Sequence, residues 1–303
     1  KLFFNKLFFV DKDLGIDIVW HSDVDDATQT IVDNLKDAKK IGVDKHWSAN
    51  FLLDLMEKLP DVKFVNGSKC VDYKRMVKDD HEQQLMIEAS RINDQAIHEV
   101  IHQVSLGLSE LEVAAKLGDI YSKFGGEGNS FDAIIAYGAN GANPHHENDA
   151  SCLKPGDSII IDMGCKYQGY CSDMTRTVFY KEVSQEAKEV YELVKAANEA
   201  AEAMIKPGVR LCDIDKTARD LITKAGYGKE FNHRLGHFIG KDVHEYGDVS
   251  VNFDLEVQEG MIFSIEPGVY LPGKFGVRIE DLVLVTKDGC KVLNSYTKDL
   301  IVI

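Results

Sequence analysis

Between Asp79 and Val104 the apolar residues Leu85, Ala89, Ile92, Ala96, Val100 and Val104 recur at steps of three and four, and Gly107 follows. That spacing predicts one long amphipathic helix with a glycine stop. Ser109 with Glu112 three residues on reads as a capping box, and predicts a second helix that stops before Gly125. Strand-like runs come next, at 131–137, 158–162 and 171–179. The same order then returns. A helix over 184–205 carries Ala187, Val190, Val194, Ala197, Ala201 and Met204 on one face and ends at Pro207-Gly208. Another presents Leu211, Ile214, Ala218, Leu221 and Ala225 before Gly226, and strands are predicted at 261–266 and 276–285. Two copies of helix, helix and strands, about 105 residues apart, predict a pseudo-symmetric domain folded around one shared site.

The chain before about residue 72 reads differently. Short strand-like runs at 16–19, 41–44 and 62–65 alternate with helix-like segments at 25–38 and 48–58, an α/β pattern. The first ten residues, KLFFNKLFFV, make a poor signal peptide, because Asn5 and Lys6 split the apolar part and no small-residue cleavage site follows. Two short strands around an Asn-Lys turn are expected there. A chain opening at Lys1 instead of Met is expected to begin inside its natural N-terminal domain.

Composition narrows the function. The 303 residues carry 35 basic and 50 acidic side chains, a formal charge of −15, which disfavours nucleic acid or an anionic membrane surface as partner. No apolar run approaches the roughly 18 residues that a membrane-spanning helix needs. The six cysteines, Cys70, Cys152, Cys165, Cys171, Cys212 and Cys290, lack CxxC spacing and read as free thiols in a reducing cytoplasm.

The repeat also places acids. Asp162 interrupts the apolar run Ile159-Ile160-Ile161, and Asp173 is expected in the next strand. In the second copy Glu266 ends Ile262-Phe263-Ser264-Ile265 and Glu280 follows Gly276-Val277-Arg278-Ile279. From 162 to 266 is 104 residues and from 173 to 280 is 107, so the acids occupy matching places. Folding the copies face to face would gather four carboxylates in an apolar setting, where like charges cannot all stay ionised without cations. The segment from His233 to His244 adds three histidines, His233, His237 and His244, interleaved with glycines that let backbones approach closely. Four carboxylates and an imidazole form a hard donor set too large for one structural zinc; they suit two divalent ions, manganese first, with cobalt or zinc able to use the same cage. Such a pair polarises a carbonyl and makes a shared water nucleophilic near neutral pH, so metal-assisted hydrolysis is the first expectation.

In the order Asp162, Asp173, His237, Glu266, Glu280, with the strings IIIDMG, SDMTRT, HRLGH, SIEPG and VRIED, the chain resembles the proline-directed metallopeptidases of the pita-bread fold. That family includes Xaa-Pro dipeptidase (prolidase) and Xaa-Pro aminopeptidase, with methionine aminopeptidase and creatinase as relatives, and the bacterial prolidases are nearest. The resemblance covers about residues 75–303. It implies an α+β chain with a pseudo-symmetric catalytic domain over 76–303 and, over 1–75, a small α/β domain incomplete at its start. It implies two metal ions: Asp162 a terminal ligand of one, Asp173 and Glu280 bridging, His237 and Glu266 on the other, with Glu266 also the general base. It further implies that His145, rather than His146, lines the substrate site, that His233 and His244 meet the scissile carbonyl and the proline side, and that Arg278 and Tyr270 have supporting roles. A homodimer is implied as well.

A dipeptide carries its own carboxylate, so a dipeptidase needs a fixed cation beyond the scissile bond. Arg234 is the candidate, although Asp248 would weaken binding of a carboxylate nearby. The reading is therefore a peptidase for small peptides with proline in second position, an Xaa-Pro dipeptidase. The alternatives are an Xaa-Pro aminopeptidase acting on longer peptides and, from a different class, a non-catalytic peptide-binding relative of the fold.

Overall fold

The structure, a computed structural model, describes residues 1–9, 13–35 and 37–303. It divides into two compact units, Lys1–Asp72 and Tyr73–Ile303. In the first, β1 (Leu2–Asn5) pairs in parallel with β2 (Ile18–His21), and β3 (Lys40–Val43) with β4 (Lys63–Asn66); α1 (Ala27–Asp33) and α2 (Ala49–Lys58) accompany them. The second strand expected near the start does not form among residues 6–9, and Val10 lies outside the described residues. The Asn5 side chain accepts from the Leu7 backbone N–H at 2.9 Å, which turns the chain, and Phe8 folds back to within 5.8 Å of Phe4 as a ring contact rather than a ladder. A helix that the periodicity did not announce, α3 (Lys69–Met76), follows.

The first helix wholly within the second unit is α4 (Asp80–Ser105), capped reciprocally by Asp79 and Glu82, with Leu85, Ile92, Ala96 and Val100 buried as the spacing predicts. The next helix is not continuous. It is split into α5 (Glu110–Ala114) and α6 (Leu117–Lys123), because the Lys116 N–H bonds to the Val113 carbonyl, three residues back instead of four. Then come β5 (Ile134–Tyr137), β6 (Ser158–Met163), the small hairpin β7 (Lys166–Tyr167) and β8 (Tyr170–Cys171), and β9 (Met174–Phe179). The second copy consists of α7 (Gln185–Met204), α8 (Leu211–Lys224), β10 (Gly236–His237), β11 (Asp248–Val249), β12 (Ile262–Ile265), β13 (Gly268–Leu271), β14 (Phe275–Arg278), β15 (Asp281–Val285) and β16 (Cys290–Val292).

Two antiparallel three-stranded sheets, β5-β6-β9 and β12-β15-β16, form the centre of this unit. β6 and β9 are buried along their whole length, in line with the unbroken apolar run that predicted β6. The run 276–285, expected as one strand, changes partner midway. β14 pairs with β13 while β15 pairs with β12, since the Ile279 N–H bonds to the Pro267 carbonyl at 3.4 Å and that of Glu280 to the Thr175 carbonyl at 3.0 Å. This break aims Glu280 at the first copy. Among the described residues no helix is long and apolar enough to cross a membrane.

Candidate metal centre

The two sheets deliver their acids by different registers. Ile265 pairs with Asp281, so continuing that ladder by one step sets Glu266 opposite Glu280. In the first copy Asp162 pairs with Thr175, and Asp173 lies just before β9 rather than inside a strand. Strand alternation then puts Thr175 on the face of Asp173, and Ser264 on that of Glu266. Thr175 Oγ1 donates to Glu280 Oε2 at 2.8 Å and Ser264 Oγ to Glu266 Oε1 at 3.3 Å. Both hydroxyls were readable as neighbours two residues from an acid, but hydroxyls in a strand are too common to have been singled out.

His237 reaches the acids because its strand presses on β12. A side-chain carbon at Gly236 would collide with the Ser264 carbonyl oxygen, so only glycine permits the approach. His237 Nε2 stands 3.5 Å from Asp173 Oδ2, 3.6 Å from Glu266 Oε1 and 4.0 Å from Glu280 Oε1. Its Nδ1 faces the Phe238 carbonyl at 3.2 Å. A carbonyl only accepts, so the proton sits on Nδ1, and the Nε2 lone pair points at the acids.

The electrostatics are those of a site short of positive charge. Burial, reinforced by the charge of Asp162, pushes the Asp173 carboxyl well above its ordinary value; burial and the neighbouring acids do the same to Glu280, and burial raises Glu266 to about 7. Burial also holds His237 below its ordinary value, hence neutral. Among the described residues Asp162 Oδ1, Asp173 Oδ1 and Glu280 Oε1 are buried without a hydrogen-bond partner. Orphaned carboxylate oxygens converging with a neutral imidazole nitrogen fit divalent cations, and Asp173, His237 and Glu280 lie close enough together to share one.

The acids line a cavity of about 510 Å³, and ten of the eleven side chains singled out from the sequence face it: Asp162, Asp173, His237, Glu266, Glu280, His145, His233, His244, Arg234 and Arg278. The eleventh, Tyr270, lies behind. Its hydroxyl receives Arg278 Nη1 at 2.9 Å and meets His233 Nε2 at 2.9 Å, while His233 Nδ1 faces the Arg234 carbonyl at 2.6 Å. Both ring nitrogens of His233 are thereby engaged, and burial depresses its pKa to about 3, so it is a neutral, fixed ring. His244 stands edge-on to His237, ring centroids 4.3 Å apart, and burial lowers it to about 4. His146 turns away from the cavity onto Glu110 at 2.6 Å. Arg234 is half-exposed at the rim and pairs with Asp248, Nη1 to Oδ1 2.5 Å; the pairing of β10 with β11, His237 opposite Asp248, brings the two together.

Several supports were not anticipated. Arg219, gripped by Asp215, donates to the Phe231 and His233 carbonyls, and Asn198 Nδ2 donates to the Ile265 carbonyl just before Glu266. These residues lie on α7 and α8, where each passes for an ordinary helix position.

Comparison with known proteins gives the family and the fold. The model of metallopeptidase family M24 matches residues 84–287, and that of the creatinase/prolidase N-terminal domain matches residues 11–77. A putative dipeptidase of Bacillus subtilis is 43% identical over 241 residues, 80% of this chain and 66% of its own length. An Xaa-Pro dipeptidase of Lactobacillus helveticus is 37% identical over 294 residues, 95% of this chain and 80% of that protein. Among solved structures, a dipeptidase from Pyrococcus horikoshii superposes with a TM-score of 0.89 at 34% identity, covering 96% of this chain and 82% of that one. An X-Pro aminopeptidase from Thermotoga maritima gives 0.82 at 35% identity, with coverages of 95% and 83%. The chain thus spans 66% to 83% of the length of these relatives, and the family match over 84–287, more than half of its residues, makes it a member of metallopeptidase family M24.

Proposed function

We propose that this chain hydrolyses Xaa-Pro dipeptides, using two divalent metal ions held by Asp162, Asp173, His237, Glu266 and Glu280. The observation that carries the reading is the convergence of orphaned carboxylate oxygens and the His237 Nε2 lone pair on one cavity, in a chain whose relatives include proteins named Xaa-Pro dipeptidase. When bound, the ions would supply Lewis acidity toward the scissile carbonyl and acidify a water. Glu266, which faces the cavity beside His237, would take a proton from the attacking water and return it to the leaving proline nitrogen. His145 and His244, both facing the cavity, would meet the substrate on either side of the scissile bond. His233 acts through its contacts: with Tyr270 and Arg278 it fixes one wall and keeps Asp162 oriented. Arg234 at the rim would take the dipeptide carboxylate.

Manganese belongs to this reading because four carboxylates make a hard site. So does a cytoplasmic location, where the six free cysteines would stay reduced. A homodimer follows from the resemblance alone. A second reading, an Xaa-Pro aminopeptidase, is favoured by one feature: Asp248 already neutralises Arg234.

Two measurements test the proposal. Glu266→Gln should lower kcat by about 10²- to 10⁴-fold with the fold intact; unchanged hydrolysis would sink it. An Xaa-Pro dipeptide should be cleaved in preference to the same pair extended by one residue, and the reverse preference would move the assignment to the aminopeptidase.

A further inference from the structure

Outside the metal centre one carboxylate is unusually well served. Glu110, the first residue of α5, is fully buried, and all its donors come from one distant segment. Its Oε1 accepts from the Tyr137 backbone N–H at 2.8 Å and from Asn140 Nδ2 at 3.0 Å. Its Oε2 accepts from the Asp149 backbone N–H at 3.0 Å and meets His146 Nε2 at 2.6 Å. A carboxylate only accepts, so His146 donates there. The contacts bracket residues 137–149, and between them lie Pro144 and His145, both facing the cavity. The segment is fixed from other sides too. Asn148 bonds to the Ala133 carbonyl at 2.7 Å and to the Ile135 N–H at 2.8 Å, and the Gly141 carbonyl packs so closely on Gly276 that no side chain fits.

Glu110, His146 and Asp149 lie close enough to hold a cation together. Their arrangement is that of a clamp instead, because both Glu110 oxygens already face N–H groups and His146 Nε2 is committed to one of them. We propose that Glu110 is a positioning residue: its buried carboxylate, with His146, fixes the 137–149 segment so that His145 is presented to the substrate. The role rests on the reading above that His145 meets substrate. Glutamine cannot replace it, since its NH2 would face N–H donors on one side.

The test is a double-mutant cycle on the full chain loaded with manganese. Glu110→Gln should lower kcat/KM for an Xaa-Pro dipeptide by about tenfold or more, the scale of a displaced catalytic contact, with bound metal and circular dichroism unchanged. In a His145→Ala background the same change should cost less than about twofold. A general structural role would cost the same in both backgrounds, and that result, or loss of bound metal in Glu110→Gln, would overturn the clamp. If Glu110→Gln fails to fold, His146→Ala removes one donor at a less buried position and should give a smaller loss that again vanishes without His145; equal losses in both backgrounds overturn the proposal. A silent His145→Ala would overturn the role of His145 and the clamp together. Hydrolysis itself would still be judged separately, by Glu266→Gln.

Discussion

Arg176 and Arg278 are a pair of opposites. Each starts in one half of the catalytic unit and ends, buried, in the other. Arg176, on β9, donates to the Glu280 carbonyl at 2.6 Å, to Asp281 Oδ1 at 2.7 Å and to the Tyr296 carbonyl at 2.8 Å. Arg278, at the end of β14, donates to Asp162 Oδ2 at 2.7 Å, to Thr175 Oγ1 at 3.1 Å and to Tyr270. The charge balance differs. Burial raises Asp281, but Arg176 and Lys298 more than offset that and hold its carboxyl below the ordinary value. Around Arg278 four acids share one guanidinium, and three of them, Asp173, Glu266 and Glu280, are pushed up. The same cross-brace thus serves, on one side, a seam where Arg176 and Lys298 face the two acids Asp281 and Glu202, and on the other leaves four acids to one guanidinium, and that deficit is where divalent ions fit.

Breaking the braces separately should separate these roles. Arg176→Met leaves Asp281 with Lys298 alone and should cost about 3–5 kcal/mol of stability, read as a lowered denaturation midpoint, with a smaller loss of kcat/KM per folded molecule than its counterpart. Arg278→Met should instead reduce metal affinity or kcat/KM by about 10- to 100-fold, as expected for a residue that orients a ligand. Equal activity losses in the two variants would abolish the distinction.

The deficit has a pH signature in the metal-free protein. Carboxyls raised by folding bind more protons in the native state, so their contribution to stability is present below the unfolded pKa and is lost as pH rises through the folded value, about 7 for Glu266. The lowered histidines His233 and His244 act in the opposite sense, but only below their ordinary value of 6.5. Thermal melts at successive pH values from 6.5 upward should therefore show Tm falling for the metal-free protein and falling less after manganese loading; a flat metal-free curve would count against the charge deficit. The smallest effect belongs to the rim. Arg234→Ala should raise KM for a dipeptide by about tenfold and change that for the extended peptide less.

Much of this was legible before folding. α4 and α7 followed from apolar spacing, and the acids from their repeat register, because both signals are local or periodic. The continuity of 110–123 and of 276–285 was misjudged, since a slipped helical bond at Lys116 and the partner change at Ile279 depend on hydrogen bonds that the apolar pattern does not record. Thr175, Arg219 and Glu110 escaped notice for a related reason: each is ordinary in its own element and acquires its role only through contacts with other segments.

By itself the sequence determined the order of the four acids and the histidine, the two-copy plan and the class of chemistry that such a set can support. Only the tertiary structure decided which oxygens are left unpaired, that both nitrogens of His233 are engaged, that His145 faces the cavity while His146 clamps Glu110, and that Arg234 meets Asp248. These outcomes are set by distances of about 3 Å between groups far apart in the chain, such as Asp162 and Arg278, and such distances exist only after the two halves have closed on each other.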